Sequence, residues 1–389
     1  MLKRHFLSRL SINRIIATRK TGFFDIISQY FRRRNKEMKK ILASLVLTAL
    51  IAGSLTGCSK KTNKPSETTE PTVVITITEA TTTETTEDPR GHYEFKPIVM
   101  SSIFKDIMGE DMYWAYCNYV NAVRAKEDSF EVKSEHDYDW MIGQFPAQFY
   151  PIYGVYTESN YAGAFKDGRA TFQYKIDKEE LAAKEKEFEK TVMDIVNENI
   201  RDDYSDFEKV LALYLYFAKT YTYDYDALKM DPIEKDNKLS SYRFFFDKKG
   251  ICFECAGAFN YLLLQAGVDV TSGGGYSYSG KDGHAWSYVT INGKNYHVDP
   301  TYVMGQPGNL TYLMMTDSKR EQEGDYKKNE MSIACHYKED HNGSKYDADD
   351  DFFSPLWGGT LTSWDHKKKV INYTDSEGNE KTFDYSKFG

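Results

Sequence analysis

Cysteine is scarce in this chain, with five in 389 residues, which excludes the disulfide-dense framework of a small secreted scaffold. Twenty-six glycines fall far short of the one in three that a collagen-like chain requires. A long hydrophobic run is also missing. The most apolar stretch covers residues 41–52, whereas a membrane-spanning helix needs about 20 apolar residues. Positive charge is not in excess: 50 Lys and Arg stand against 58 Asp and Glu, a balance of −8, which argues against a generally basic nucleic-acid binder. What the chain does have is material for a core. With 41% hydrophobic and 15% aromatic residues it is not a largely disordered protein, and its length allows about two to three domains.

The charge is unevenly placed. Residues 1–57 hold 12 of the basic and 2 of the acidic residues, leaving 38 basic against 56 acidic beyond them, a balance of −18. Met38-Lys39-Lys40, the short apolar run and Gly53-Ser54-Leu55-Thr56-Gly57-Cys58 together form a basic n-region, an h-region and small residues, the pattern of a secretory signal. Leu55-Thr56-Gly57-Cys58 resembles the lipobox of bacterial lipoproteins, which implies cleavage before Cys58 and a lipid on that residue. Residues 1–37 read as an untranslated upstream start or as an unusually long n-region. Residues 58–90 are rich in Thr, Glu, Lys, Ser and Pro and cannot bury enough surface to offset their ordering entropy. They read as a disordered tether. An acidic ectodomain is repelled by an anionic lipid surface, so membrane residence requires the covalent anchor.

The ectodomain divides into an N-terminal helical and strand region at 91–200, a core at 201–320 and a β-rich extension at 321–389. A helix is expected around 102–126 and strand-like alternation at 170–176. Asp177 with Glu180, then Ser205 with Glu208, have the spacing of capping boxes. After the first, Leu181, Glu185, Phe188, Val192, Ile195 and Val196 recur with helical period. After the second, so do Phe207, Val210, Leu211, Tyr214, Phe217, Ala218 and Tyr221, an aromatic stripe that reads as core. A third helix follows Gly250, with Cys252 in its first turn and Gly267 as its stop. Ser272-Gly273-Gly274-Gly275-Tyr276-Ser277-Tyr278-Ser279-Gly280 reads as a loop. Residues 284–291 and 294–299 read as strands joined by Asn292-Gly293, a strong hairpin signal. A further hairpin turns at Glu377-Gly378-Asn379.

A two-residue turn at Asn292-Gly293 fixes a register that pairs Ile291 with Lys294, Tyr288 with His297 and Trp286 with Asp299. Side chains alternate faces along a strand, so His284, Trp286 and Tyr288 share a face with His297 and Asp299. His284 is then the diagonal neighbour of Asp299, roughly 7 Å away at the backbone, a gap that the two side chains can bridge. Cys252 at a helix start is placed where the dipole and free N–H groups favour a thiolate. These are the parts of a thiol acyl-transfer site. Cys252 would be the nucleophile, His284 the general base and acid, and Asp299 the group that orients the imidazole. The Cys252 N–H is an expected oxyanion donor, and Gly250 is expected to leave room for substrate.

Gly250-Ile251-Cys252-Phe253-Glu254-Cys255-Ala256-Gly257-Ala258-Phe259, Gly283-His284-Ala285-Trp286 and Tyr296-His297-Val298-Asp299-Pro300-Thr301 resemble, in that order, the motifs of the bacterial transglutaminase-like superfamily. Tyr221-Thr222-Tyr223-Asp224-Tyr225 and Tyr312-Leu313-Met314-Met315-Thr316-Asp317 resemble its flanking segments. The resemblance covers about residues 207–317. It implies an α+β fold with a papain-like core, the catalytic Cys at a helix N-terminus packed on an antiparallel β-sheet. It leaves the reaction open, since the superfamily includes crosslinkers, peptidases, deamidating and deglycosylating enzymes and inactive members. Cys255 and Tyr302 depart from its usual pattern, where aromatic residues and Trp respectively are common.

Cys252-Phe253-Glu254-Cys255 is also a Cys-x-x-Cys, readable as a redox pair or as half of a zinc site whose only obvious further ligands are Cys335 and His336. A catalytic thiol explains the matching His and Asp, and these alternatives do not. His297 reads as a supporting or partly exposed residue. Tyr276, Tyr278 and Trp286 are candidates for a substrate groove, although Trp286 and Tyr288 suit packing as well. Cys117 and Cys335 read as core or disulfide residues, and Asp347-Ala348-Asp349-Asp350-Asp351 as a solvated acidic loop. The expected protein is a lipid-anchored, extracytoplasmic cysteine acyltransferase or hydrolase, needing neither cofactor nor metal. It would act on protein or peptide amides, with cell-wall peptide suggested by location. The alternative is a surface binding or assembly module that keeps the fold without turnover.

Overall fold

Helix starts and one tight turn organise the chain. The computed structural model describes residues 90–388, apart from 159–162, 232–233, 236–237, 277–282, 325, 327–330, 335 and 338–342. The expected signal and tether, Cys58, Tyr278 and Cys335 therefore lie outside the described residues.

The expected helix around 102–126 is two helices, Ser102–Met108 and α1, Glu110–Arg124, divided at Gly109, whose φ of 86° breaks the helical path. Helix α2, Glu135–Phe149, follows, and the alternating stretch near 170 supplies only the short strands Arg169–Thr171 and Gln173–Tyr174. Helix α3, Lys178–Asn199, starts where expected, although the Asp177 side chain makes no capping bond. The box at Ser205 is complete: Glu208 accepts from the Ser205 N–H at 2.7 Å and Ser205 Oγ accepts from the Glu208 N–H at 3.4 Å. It opens α4, Asp206–Thr220, whose aromatic stripe is buried as core.

Helix α5, Ser241–Asp247, precedes α6, Cys252–Gln265. Nearly every residue of α6 is buried, as expected of a helix that is apolar on all sides. It lies against an antiparallel sheet of order β3-β2-β1-β4-β5. These strands are β1, Asp269–Tyr276; β2, Gly283–Ile291; β3, Lys294–Val298; β4, Ser332–Ile333; and β5, His336–Tyr337. The short helix α7, Asp317–Gly324, follows β3. The fold is α+β, with a cysteine helix on an antiparallel sheet. Asn292 and Gly293 both have positive φ, 54° and 74°, the conformation of a two-residue hairpin turn, and the β2–β3 register is the one counted from it.

The Gly- and Ser-rich segment is a strand as far as Tyr276, not a loop. A Cβ at Gly273 would sit 2.6 Å from Trp286 Nε1, and one at Gly275 would sit 3.1 Å from Trp286 Cη2 and from Tyr326 Cδ1. The missing side chains give the Trp286 ring a place across β1, a recognised use of strand glycine. Gly250 also has a different role from the expected one. Its Cβ would lie 2.5 Å from Phe244 and 2.9 Å from Glu254 Oε2, so packing occupies the space reserved for substrate.

The C-terminal hairpin gains a third strand. Strands β6, Thr360–Asp365, β7, Val370–Thr374, and β8, Glu380–Asp384, form a sheet of their own. One hydrophobic core joins buried residues from all three segments, 91–200, 201–320 and 321–389. Phe353, Tyr385 and Phe388 pack around Phe207 at the start of α4, and the buried Glu208 accepts from Lys369 Nζ at 2.9 Å and Tyr385 Oη at 2.8 Å.

The start of α6 is clamped by charge. Glu254 Oε2 accepts from the Ile251 N–H at 3.1 Å, and its two oxygens accept from Arg243 Nε at 2.9 Å and Nη2 at 2.7 Å. Burial pushes the Glu254 carboxyl up, while Arg243 and the backbone donors pull against it. Removing one partner of such a pair leaves an uncompensated buried charge. Arg243→Met should therefore cost about 3 kcal/mol, measured by urea unfolding, whereas Lys229→Met at an exposed ion pair should leave the midpoint nearly unchanged.

Candidate active site

Cys252 is the first residue of α6 and is 5% exposed. As the first helical residue it has no intrahelical acceptor for its N–H. His284 and Ala285, adjacent on β2, both face this helix start: Ala285 packs with Cys252 and Ala256, and the His284 ring interacts electrostatically with the Cys252 thiol. His284 Nε2 donates to Asp299 Oδ2 at 2.7 Å, which leaves Nδ1 for the thiol. Asp299, just beyond β3, is fully buried. Its Oδ1 accepts from the Thr301 N–H at 3.0 Å and its Oδ2 also accepts from Arg320 Nη1 at 3.0 Å. The structure thus brings together the three residues expected to act as nucleophile, base and orienting acid.

Residues 193–300, which contain all three, match the model of the Transglutaminase-like superfamily. This segment forms a transglutaminase-like domain. Solved structures similar to the chain include a candidate cysteine protease from Cytophaga hutchinsonii, 19% identical over 27% of this chain and 34% of that one, with a TM-score of 0.21. A TGase is 19% identical over 34% and 40%, with a TM-score of 0.27. The periplasmic domain of TgpA from Pseudomonas aeruginosa, bound to ethylmercury, is 24% identical over 25% and 38%, with a TM-score of 0.19. The chain thus spans between a third and two fifths of the length of these structures. No curated protein matches it.

Within the transglutaminase-like domain the remaining sequence candidates separate. Trp286 is fully buried, which corrects its candidacy for a substrate groove: its indole donates to His297 Nδ1 at 2.8 Å and its ring packs beside His284, Tyr326 and Arg320. Tyr276 ends β1 opposite Gly283, and Tyr278 lies outside the described residues. His297 is a supporting residue and is not exposed. Its Nε2 donates to Asp317 Oδ1 at 2.8 Å. Because an indole N–H only donates, Nδ1 of His297 must accept, which fixes the neutral Nε2–H tautomer.

Cys255 and Cys252 are free thiols. Burial pushes the Cys255 thiol well up, the behaviour of an inert structural cysteine. Cys117 is also free and only partly buried. In the acidic segment, Asp350 is tied to Lys294 and to the Phe352 N–H.

Sequence reasoning missed Arg320, Tyr326 and the partner of His297. Tyr302, noted only as a departure from the usual pattern, stacks on the His284 ring at 4.7 Å. A signal for Arg320 existed. His297 on β3 and Asp299 just beyond it are two apart and so share a face, while Asp317 and Arg320 are three apart on α7 and so share a side. One pair meets the other, Asp317 at His297 and Arg320 at Asp299.

Burial works against charging the His284 ring, but the Asp299 charge and hydrogen bond, with the Cys252 contact, outweigh it and carry the imidazole from 6.5 to about 10. Asp299 moves the other way: burial raises it, and His284, Arg320 and the Thr301 N–H together hold it below its ordinary value. A histidine raised in the folded state gives stability that is fully present below its unfolded value and lost as pH rises through its folded one. Urea unfolding between pH 6 and 10 should accordingly show stability falling with pH by on the order of a few kcal/mol, and His284→Gln should remove most of that slope.

Proposed function

We propose that this protein is a cysteine-dependent enzyme acting on amide bonds of proteins or peptides through a thioester at Cys252. The observation that carries the reading is one imidazole, His284, hydrogen-bonded to a buried carboxylate on one side and facing a thiol at a helix start on the other. His284 takes the Cys252 proton, and the thiolate attacks the amide carbonyl. The oxyanion that develops lies beside the start of α6, where the Cys252 N–H and the positive end of the helix dipole favour it. As the C–N bond breaks, the imidazolium gives its proton to the leaving amine. Water or a second amine then attacks the thioester with His284 as base, releasing the thiol. Water completes a hydrolysis and an amine completes a transamidation, on the same residues and without a cofactor.

The enzyme would work outside the cytoplasm, held to the membrane by lipid on Cys58 and set off from it by the tether. Cell-wall peptide is the substrate class that such a location favours.

Three measurements test this. A thiol-alkylating probe at pH 7 should label Cys252 faster than it labels a free model thiol, and Cys252→Ala and His284→Ala should abolish that fast labelling. Labelling no faster than the model thiol would overturn the mechanism. Asp299→Asn should lower turnover by about 10²- to 10⁴-fold, in a screen of glutamine donors run with and without an added amine. For the anchor, Cys58→Ser should move the protein from the membrane to the soluble fraction, and retention would count against lipidation.

A further inference from the structure

Two side-chain donors meet one oxygen in this site. Asp299 Oδ2 accepts from His284 Nε2 at 2.7 Å and from Arg320 Nη1 at 3.0 Å. Arg320 is fully buried, which is costly for a guanidinium unless its surroundings compensate. Its Cζ lies 4.4 Å from the ring centroid of Trp286 and 4.7 Å from that of Tyr326, and its Nε and Nη2 have no hydrogen-bond partner among the described residues. Among the described residues, Asp299 is the one carboxylate paired with it. Asp317 lies on the same helix, but its oxygens take His297 and the Ala348 N–H. A buried arginine whose guanidinium lies against ring faces and makes one ion pair, with the orienting carboxylate, is an expensive arrangement for packing alone.

We propose that Arg320 is a positioning residue of this site, holding Asp299 toward His284 and supplying the second positive charge that lets a Cys252 thiolate, a His284 imidazolium and an Asp299 carboxylate coexist away from water. The inference rests on the mechanism above. With Arg320 in place the reactive form of the four groups carries no net charge. Without it the same form carries one uncompensated negative charge in a buried site, and the protonated thiol is favoured.

The other ionisable groups near the pair cannot take over that role. Cys255 lies behind it on α6, Tyr214 reaches toward Asp299 from α4, and Tyr223, Tyr302, Tyr312 and Tyr326 surround it from the connecting segments. All are neutral when protonated, and none carries positive charge. Glu323 of α7 is turned to Lys319. Among the described residues, Arg320 is the cation paired with Asp299.

The test is the pH dependence of Cys252 alkylation by iodoacetamide in the folded protein. Arg320→Met keeps an apolar stem against Trp286 and Tyr326 and removes the charge. It should move the acid limb of the profile up by about one pH unit, a tenfold loss of labelling rate on that limb, while Arg320→Lys should bring the limb back to within about 0.3 unit of the unsubstituted protein. Arg320→Gln serves as the neutral variant should Arg320→Met fail to fold by circular dichroism. A purely structural arginine would lower the rate equally at every pH. An unmoved limb in the folded neutral variant, or a limb that moves alike in the neutral and Lys variants, overturns the proposal. Slow labelling of the unsubstituted protein at every pH would instead overturn the thioester mechanism, so the two failures are distinguishable.

Discussion

A carboxylate cut off from water must find donors inside the protein, and Asp299 finds three of different kinds: an imidazole, a guanidinium and a backbone N–H. Each comes from a separate part of the chain. The imidazole belongs to β2, the guanidinium to α7 and the N–H to the turn after β3. Backbone pairing holds the same place from the other side, since the Asp299 N–H donates to the Tyr312 carbonyl at 2.9 Å and His297 exchanges two bonds with Met315. An error in the hairpin register by one residue would turn Asp299 to the opposite face, leaving Arg320 as a buried cation without its anion. The ionic arrangement and the strand register therefore specify each other.

Two buried His–Asp pairs sit on one face of the sheet, and their surroundings give them opposite properties. His284 faces a thiol and a carboxylate, and the carboxylate charge favours the imidazolium. His297 is held between Asp317 and the Trp286 indole, and an indole that can only donate requires the neutral ring. The first pair is suited to moving a proton. The second holds Trp286 in place, and Trp286 in turn forms part of the wall against which His284 and Arg320 pack. Identity of residue type therefore says little about role here, and the partner on the second ring nitrogen decides it.

Much of this was legible in the sequence because it depends on local rules. Helix period and capping spacing located α3, α4 and α6. A single Asn-Gly turn was enough to place His284, Trp286, His297 and Asp299 on one face, because alternation along a strand has no freedom once the turn is set. What stayed hidden depends on contacts between distant segments. Arg320 reads in sequence as one more helical basic residue, and only the docking of α7 on β3 makes it a partner of Asp299. Gly250 failed for a related reason: its neighbours Phe244 and Glu254 are close in space through the turn between α5 and α6, a relation that no periodicity expresses.

The glycine run at 273–275 shows how a compositional feature acquires a role in chemistry through packing. Read alone, three consecutive glycines are a loop. In the sheet, Gly273 and Gly275 leave the surface of β1 bare where the Trp286 ring lies. The ring could not take that position over a larger side chain, and without it Arg320 would lose an aromatic face that compensates its burial. Arg320 is in turn bonded to the oxygen of Asp299 that receives His284. The absence of two side chains on one strand is thus connected, through an indole and a guanidinium, to the charge state of an imidazole on the next. Glycine in a strand interior weakens the strand, and the wall of the site is what that weakness makes room for.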